Sequence, residues 1–206
     1  MWLFKPFVTS GKDPLLHLWW RFQNHTVVNI SSEVTPGFEW VVAGEGVATE
    51  KIDGACCAVI DGIFYKRYDA KKDKRGNIKL PPAGAIPCSQ PDPVTGHWPH
   101  WVKVEENNPA DRWFLQAYNN TEKERGKLPD ATYEAIGPHF QNNPYGLEKD
   151  VLVQHGTTEI NLPDRSFCSI REYLRTHHIE GIVFWKDGEA QCKIKRKDFG
   201  FVWPEK

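Results

Sequence analysis

The sequence predicts an antiparallel-rich α+β fold with few helices, and three observations carry that prediction. Short apolar runs alternating with polar residues recur along the chain, Asp61-Gly62 and Asp187-Gly188 each join a pair of such runs, and one stretch alone has helical spacing. Asp-Gly suits a two-residue hairpin because both central positions need a positive φ. With 206 residues, 40% of them hydrophobic, the chain buries one sizeable core. The expectation is a single domain over residues 1–206, with an aromatic-rich segment, 1–46, packed on it.

In chain order, LLHLWWRFQ (15–23) reads as a short helix or strand whose tryptophans cap a core. From Gly46, GVATEKID and ACCAVI are strands, and Asp61-Gly62 turns the second into IFYKRYD. Residues 69–100 mix Lys, Gly and Pro, the composition of a long surface loop. HWVKVE (100–105) and RWFLQAYN (112–119) alternate like strands, ERGKLPD breaks the pattern, and ATYEAIG (131–137) and DVLVQHG (150–156) resume it. Ser166 is placed to cap a helix over FCSIREYLRTHH, where Phe167, Ile170, Tyr173 and Leu174 share a face. IEGIVFWK and EAQCKIKRKDF then form the second Asp-Gly hairpin.

A net charge of −1 gives no global signal for a polyanion, so a nucleic-acid surface must come from a local basic patch. KRYDAKKDKRGNIK (66–79) and KIKRK (193–197) are such patches. Cys56 and Cys57 are adjacent among five cysteines, a poor disulfide framework, which points to a reduced intracellular protein. The N-terminal apolar stretch is broken by Lys5 and Pro6, and no later run approaches a membrane span. A soluble cytoplasmic protein is expected. Cys88, His97 and His100 match no zinc-finger spacing, and aromatic packing about Trp98 is the better reading of the two histidines.

In TEKIDGACCAVIDG (49–62) a lysine stands between Glu50 and Asp53, ahead of Gly54. An amine is a nucleophile only when neutral and accessible, which requires desolvation or nearby cations. Lys193 and Lys195, two apart on a strand, project to one face. Taken alone, the first motif reads as a solvated lysine beside a turn and the second as an exposed basic strand.

Together they are more specific. TEKIDG resembles the first motif of the covalent nucleotidyltransferases, the superfamily of ATP-dependent ligases and mRNA capping enzymes. Arg67 in YKRYD follows one hairpin later; YEAIGP (133–138), EGIVFW (180–185) and KIK (193–195) resemble the third, fourth and fifth motifs. The chain further resembles the vertebrate-type 5′–3′ RNA ligase family, through TEKIDGACC, GHWPHWVKVEENN, IGPHFQNNPYGL, the His-Gly at 155–156, IEGIVFW and FGFVWP, over about residues 47–204.

That resemblance implies an ATP-grasp-like nucleotidyltransferase domain and an ATP-dependent ligase of RNA 5′-phosphate and 3′-hydroxyl ends. Lys51 is the implied nucleophile, forming a lysyl-AMP, with Lys193 and Lys195 on the α-phosphate. The backbone of Glu50 contacts adenine, Glu134 accepts from ribose hydroxyls, and Arg67 contacts phosphate or ribose. Glu180 assists a divalent ion, Mg2+ or Mn2+. Asp53 either orients Lys51 or approaches the same metal, and Gly54 permits close approach of the nucleotide. RNA is expected along Lys71, Lys72, Lys74 and Arg75. Only eleven residues follow Lys195, too few for a C-terminal OB domain, so a homo-oligomer or partner protein is a possible further grip on RNA. The alternatives are a DNA-end ligase or other adenylyltransferase, or a non-catalytic nucleotide- or RNA-binding module, which has no need of a nucleophilic lysine.

Overall fold

A computed structural model describes residues 16–17, 19–24, 26–71, 80–91 and 96–204, with the backbone alone for those before Ile30. Its elements are β1 (Leu16–His17), β2 (Trp19–Asn24), β3 (Thr26–Val34), α1 (Glu39–Val42), β4 (Val47–Lys51), β5 (Ala55–Ile60), β6 (Ile63–Ala70), β7 (Ile86–Pro87) and β8 (Trp98–Lys103). There follow α2 (Arg112–Arg125), β9 (Ala131–Ile136), β10 (Val151–Gln154), α3 (Phe167–Thr176), β11 (Gly181–Lys186) and β12 (Glu189–Lys195). The mixed, antiparallel-rich architecture agrees with the α+β class. No helix among the described residues is long and apolar enough to cross a membrane.

The chain divides into two compact units. Asp53–His155 builds a six-stranded antiparallel sheet in the order β10-β9-β5-β6-β8-β7. Because alternate side chains face opposite ways, Cys57, Val59, Phe64, Tyr133, Ala135 and Leu152 pack on one face against Ala117 of α2. Cys56, Ala58, Tyr65, Arg67, Asp69, Thr132 and Glu134 then belong to the opposite face, and there Ala58 and Tyr65 pack with Trp101 and Cys88. That second face carries Arg67, Asp69, Thr132 and Glu134.

Leu15–Ile52 and Gly156–Lys206 contain a four-stranded sheet, β1-β12-β11-β4, antiparallel except for the β1–β12 pair, and the hairpin β2-β3. Ala48, Ile182, Phe184, Cys192 and Ile194 bury one sheet face against Ile170 and Leu174 of α3 and Phe38 and Val41. Burying each large side chain of that kind stabilises the fold by roughly 1.5–3 kcal/mol. The other face is left to Thr49, Lys51, Val183, Lys193 and Lys195.

The Asp-Gly turns form as read: Asp61 and Gly62 have φ of 53° and 71°, Asp187 and Gly188 of 54° and 78°. Ser166 caps α3, its hydroxyl accepting from the Ser169 N–H. Two expectations are corrected. RWFLQAYN is the first half of helix α2, in which Trp113, Phe114, Ala117, Tyr118 and Thr121 form one helical stripe. Gly126, with φ 79°, ends it, its N–H bonding the Glu122 carbonyl. The expected loop 69–100 begins inside β6 and holds β7 and the start of β8; residues 72–79 and 92–95 lie outside the described residues.

Candidate active site

In the second unit three adjacent strands bring the basic residues into line. Gly181 of β11 pairs with Lys51 of β4 on one side and Lys195 of β12 on the other; one pleat along, Val183 pairs with Thr49 and Lys193. The lysines therefore share a face by register, since any one-residue slip would turn one of the strands over. Gly181 must be glycine, because a Cβ there would lie 2.3 Å from the Ile194 carbonyl oxygen.

Glu180, one residue before β11, binds both lysines. Its Oε2 lies 2.7 Å from Lys51 Nζ and its Oε1 3.3 Å from Lys195 Nζ. The carboxylate is buried, whereas the two ammonium-bearing side chains keep some exposure. A buried carboxylate shared by two cations is electrostatically strong, and removing it leaves two like charges facing each other.

Lys193 is wholly buried, and burial pushes its pKa down from 10.5 to about 6, with Lys195 adding to the shift and Asp198 opposing it. At that pKa the resting protein holds Lys193 mostly as the amine near neutral pH. Lys195 is also lowered, by burial and then by Lys51, with Glu180 pulling the other way. Asp198, from the short turn after β12, accepts the Lys195 backbone N–H at 2.8 Å. Arg196 fixes the same corner: its N–H meets the Glu180 carbonyl at 2.9 Å and its buried guanidinium the Leu174 carbonyl at 2.6 Å.

On β4, the Glu50 N–H donates to the Thr158 carbonyl at 2.9 Å. Burial raises the Glu50 carboxyl, against a lowering pull from His178. Trp185 covers Thr49, its indole N–H reaching Oγ1 at 2.7 Å.

The first unit gathers a second cluster on the face that carries Arg67 and Glu134. Arg67 Nε lies 3.0 Å from Asp69 Oδ1, and a second guanidinium nitrogen reaches Oδ2 at 3.3 Å. Burial alone would lower the Arg67 pKa, but Cys56, Asp69 and Glu134 outweigh it and raise it. Glu134 Oε1 lies 3.2 Å from His155 Nε2, whose Nδ1 is 2.8 Å from Thr132 Oγ1. Gly54 is demanded by the sheet: a Cβ would lie 2.5 Å from the Ala135 carbonyl oxygen. The adjacent Asp53 N–H donates to the Tyr145 hydroxyl at 2.7 Å.

Lys66 of the basic stretch is taken by the buried Asp111, which also accepts the Glu105 N–H, so that lysine is structural. Lys71 is exposed; Lys72, Lys74 and Arg75 lie outside the described residues. Cys88 is buried in the small core about Trp101, and His100 packs on Trp98 with ring centroids 4.5 Å apart, as the aromatic reading expected. Sequence reasoning missed His155, Thr132, Tyr145 and Asp198 as site-building residues. Only the i, i+2 spacing of Thr132 and Glu134 hinted at the first pair.

A lysine amine held by a buried carboxylate, with further lysines on the same sheet face, defines a centre suited to a phosphate-bearing electrophile. The family model of RNA ligase 1 matches residues 121–206. The chain is similar to RNA ligase 1 of Pongo abelii, 25% identical over an alignment 222 positions long that covers 77% of this chain and 68% of that protein. RNA ligase 1 of Danio rerio is 25% identical over 76% of this chain and 68% of its own length. That of Rattus norvegicus is 26% identical over 77% and 68%.

Proposed function

We propose that this chain is an ATP-dependent RNA ligase of the covalent nucleotidyltransferase kind, joining 5′-phosphate to 3′-hydroxyl ends. The Lys51–Glu180–Lys195 cluster is the observation that supports this most strongly. Lys51 Nζ first gives up a proton, for which the Glu180 carboxylate is the acceptor at hand. The neutral amine attacks the α-phosphorus of ATP, a P–N bond forms, and the bond to pyrophosphate breaks. AMP then passes to the 5′-phosphate of RNA, returning the amine, and a 3′-hydroxyl displaces AMP as the strands are joined.

Lys195 stabilises the charge on the transferring phosphate. Lys193, an amine at rest, has an affinity for protons that an arriving phosphate raises, so it becomes the second cation when nucleotide binds. Arg67 and Glu134 serve nucleotide binding, Glu134 as a hydroxyl acceptor, and Lys71 with its neighbours serves RNA.

Magnesium or manganese is the expected ion, and it neutralises phosphate charge when bound. Among the described residues no group of three His, Cys, Asp or Glu side chains forms a cage. The expected ion takes one or two carboxylates and completes its shell with water and phosphate; Glu180 is the residue that would hold it.

Incubation with ATP or GTP labelled at the α-phosphate, followed by a denaturing gel, tests the reading. Label from ATP alone, lost in Lys51→Ala, is expected. No covalent label with any divalent ion would leave a nucleotide-binding module as the better reading. A preference for joining DNA over RNA ends would move the substrate to DNA.

A further inference from the structure

We propose that His155 is a positioning residue that clamps the Glu134 carboxylate, leaving one oxygen, Oε2, to accept a ribose hydroxyl of the bound nucleotide. This rests on the nucleotide reading of Glu134 given above. Thr132 and Glu134 lie two apart on β9 and so share a face. Glu134 pairs with Val153 of β10, and the ladder runs one residue beyond that strand, the His155 N–H donating to the Thr132 carbonyl at 3.1 Å. His155 is thereby set across from Thr132 and diagonal to Glu134, and its ring spans both side chains, 2.8 Å and 3.2 Å away.

The hydrogen-bond roles follow from donor chemistry. A carboxylate only accepts, so Nε2 carries the proton shared with Glu134 Oε1, and in the neutral ring Nδ1 accepts from the Thr132 hydroxyl. One carboxylate oxygen is thus consumed within the protein. The other, Oε2, is buried and accepts no hydrogen bond among the described residues. A buried acceptor left open is costly unless a ligand donates to it, and a ligand lacking that hydroxyl is penalised accordingly. Without His155 the carboxylate is free to rotate or turn toward the nearby Arg67, and the selection for a hydroxyl is lost.

Equilibrium binding of ATP, 2′-deoxyATP and 3′-deoxyATP, measured by calorimetry on the full chain carrying Lys51→Ala so that nucleotide stays unreacted, tests this. With His155 intact, one of the two deoxy analogues is expected to bind about 10- to 100-fold more weakly than ATP. Adding His155→Ala should weaken ATP toward that analogue and shrink the ratio to within about threefold, whereas His155→Gln, whose amide N–H can replace Nε2, should restore much of it. Thr132→Val should give an intermediate ratio. A purely structural histidine would weaken all three nucleotides alike and keep the ratio; that result, or equal binding of all three by the starting chain, would overturn the proposal. Adduct formation by the unmutated chain is read in parallel: its absence, with the ratio behaving as expected, would sink the ligase reading and spare this one.

Discussion

Lys193→Met should make the protein more stable while abolishing its adenylylation. The amine is fully buried with a pKa of about 6 against 10.5 when exposed, so at pH 7 the folded site holds the neutral form and the unfolded chain the ammonium. Unfolding takes up a proton throughout the window between those values, so stability rises with pH there, by about 1.4 kcal/mol per unit from this group. The penalty is complete below about pH 6, is about 5 kcal/mol at pH 7 and vanishes as pH passes 10.5. Methionine fills a similar volume without a charge to strip of water, and replacements of that kind return roughly 1–4 kcal/mol. Urea unfolding at pH 7, 8 and 9 measures both effects: a gain at pH 7 that narrows with rising pH. A variant less stable than the parent, or a gain independent of pH, would refute the reasoning. No adduct should form, because the α-phosphate loses its second cation.

Three further perturbations have defined outcomes. Glu180→Gln removes the proton acceptor beside Lys51, and the rate of adduct formation should fall about 100-fold or more in single-turnover labelling. Gly181→Ala places a methyl against the Ile194 carbonyl in a three-strand register, and should cost about 1–3 kcal/mol in urea unfolding, with labelling lost in proportion to the displaced lysines. Ser166→Ala deletes the cap of α3 and should cost about 1 kcal/mol, read as a lower Tm with adduct chemistry intact.

Those outcomes separate what was legible in the sequence from what was not. Asp61-Gly62 and Asp187-Gly188 are readable because few dipeptides tolerate two successive positive φ angles, so local chemistry decides the turn. Ser166 is readable for the same local reason. Helix α2 is not, because the aromatic residues of 112–119 imitate a strand and the helical stripe is complete only with Thr121 and the stop at Gly126. The lysines on one face of β12 follow from a period of two. Their alignment with Lys51 does not, since it depends on the registers of β11 with both neighbours. Nor does the charge state of Lys193, which looks like any basic-strand lysine until burial is known. His155 is twenty-one residues from Glu134 in sequence and meets it only through the β9–β10 ladder.

The mass of the intact chain after incubation with ATP and magnesium, followed by peptide mapping, tests the proposed chemistry most directly. A single added adenylate on the peptide containing Lys51, discharged by 5′-phosphorylated RNA, is the predicted result. An unmodified chain, or an adenylate carried by a residue other than Lys51, would contradict it.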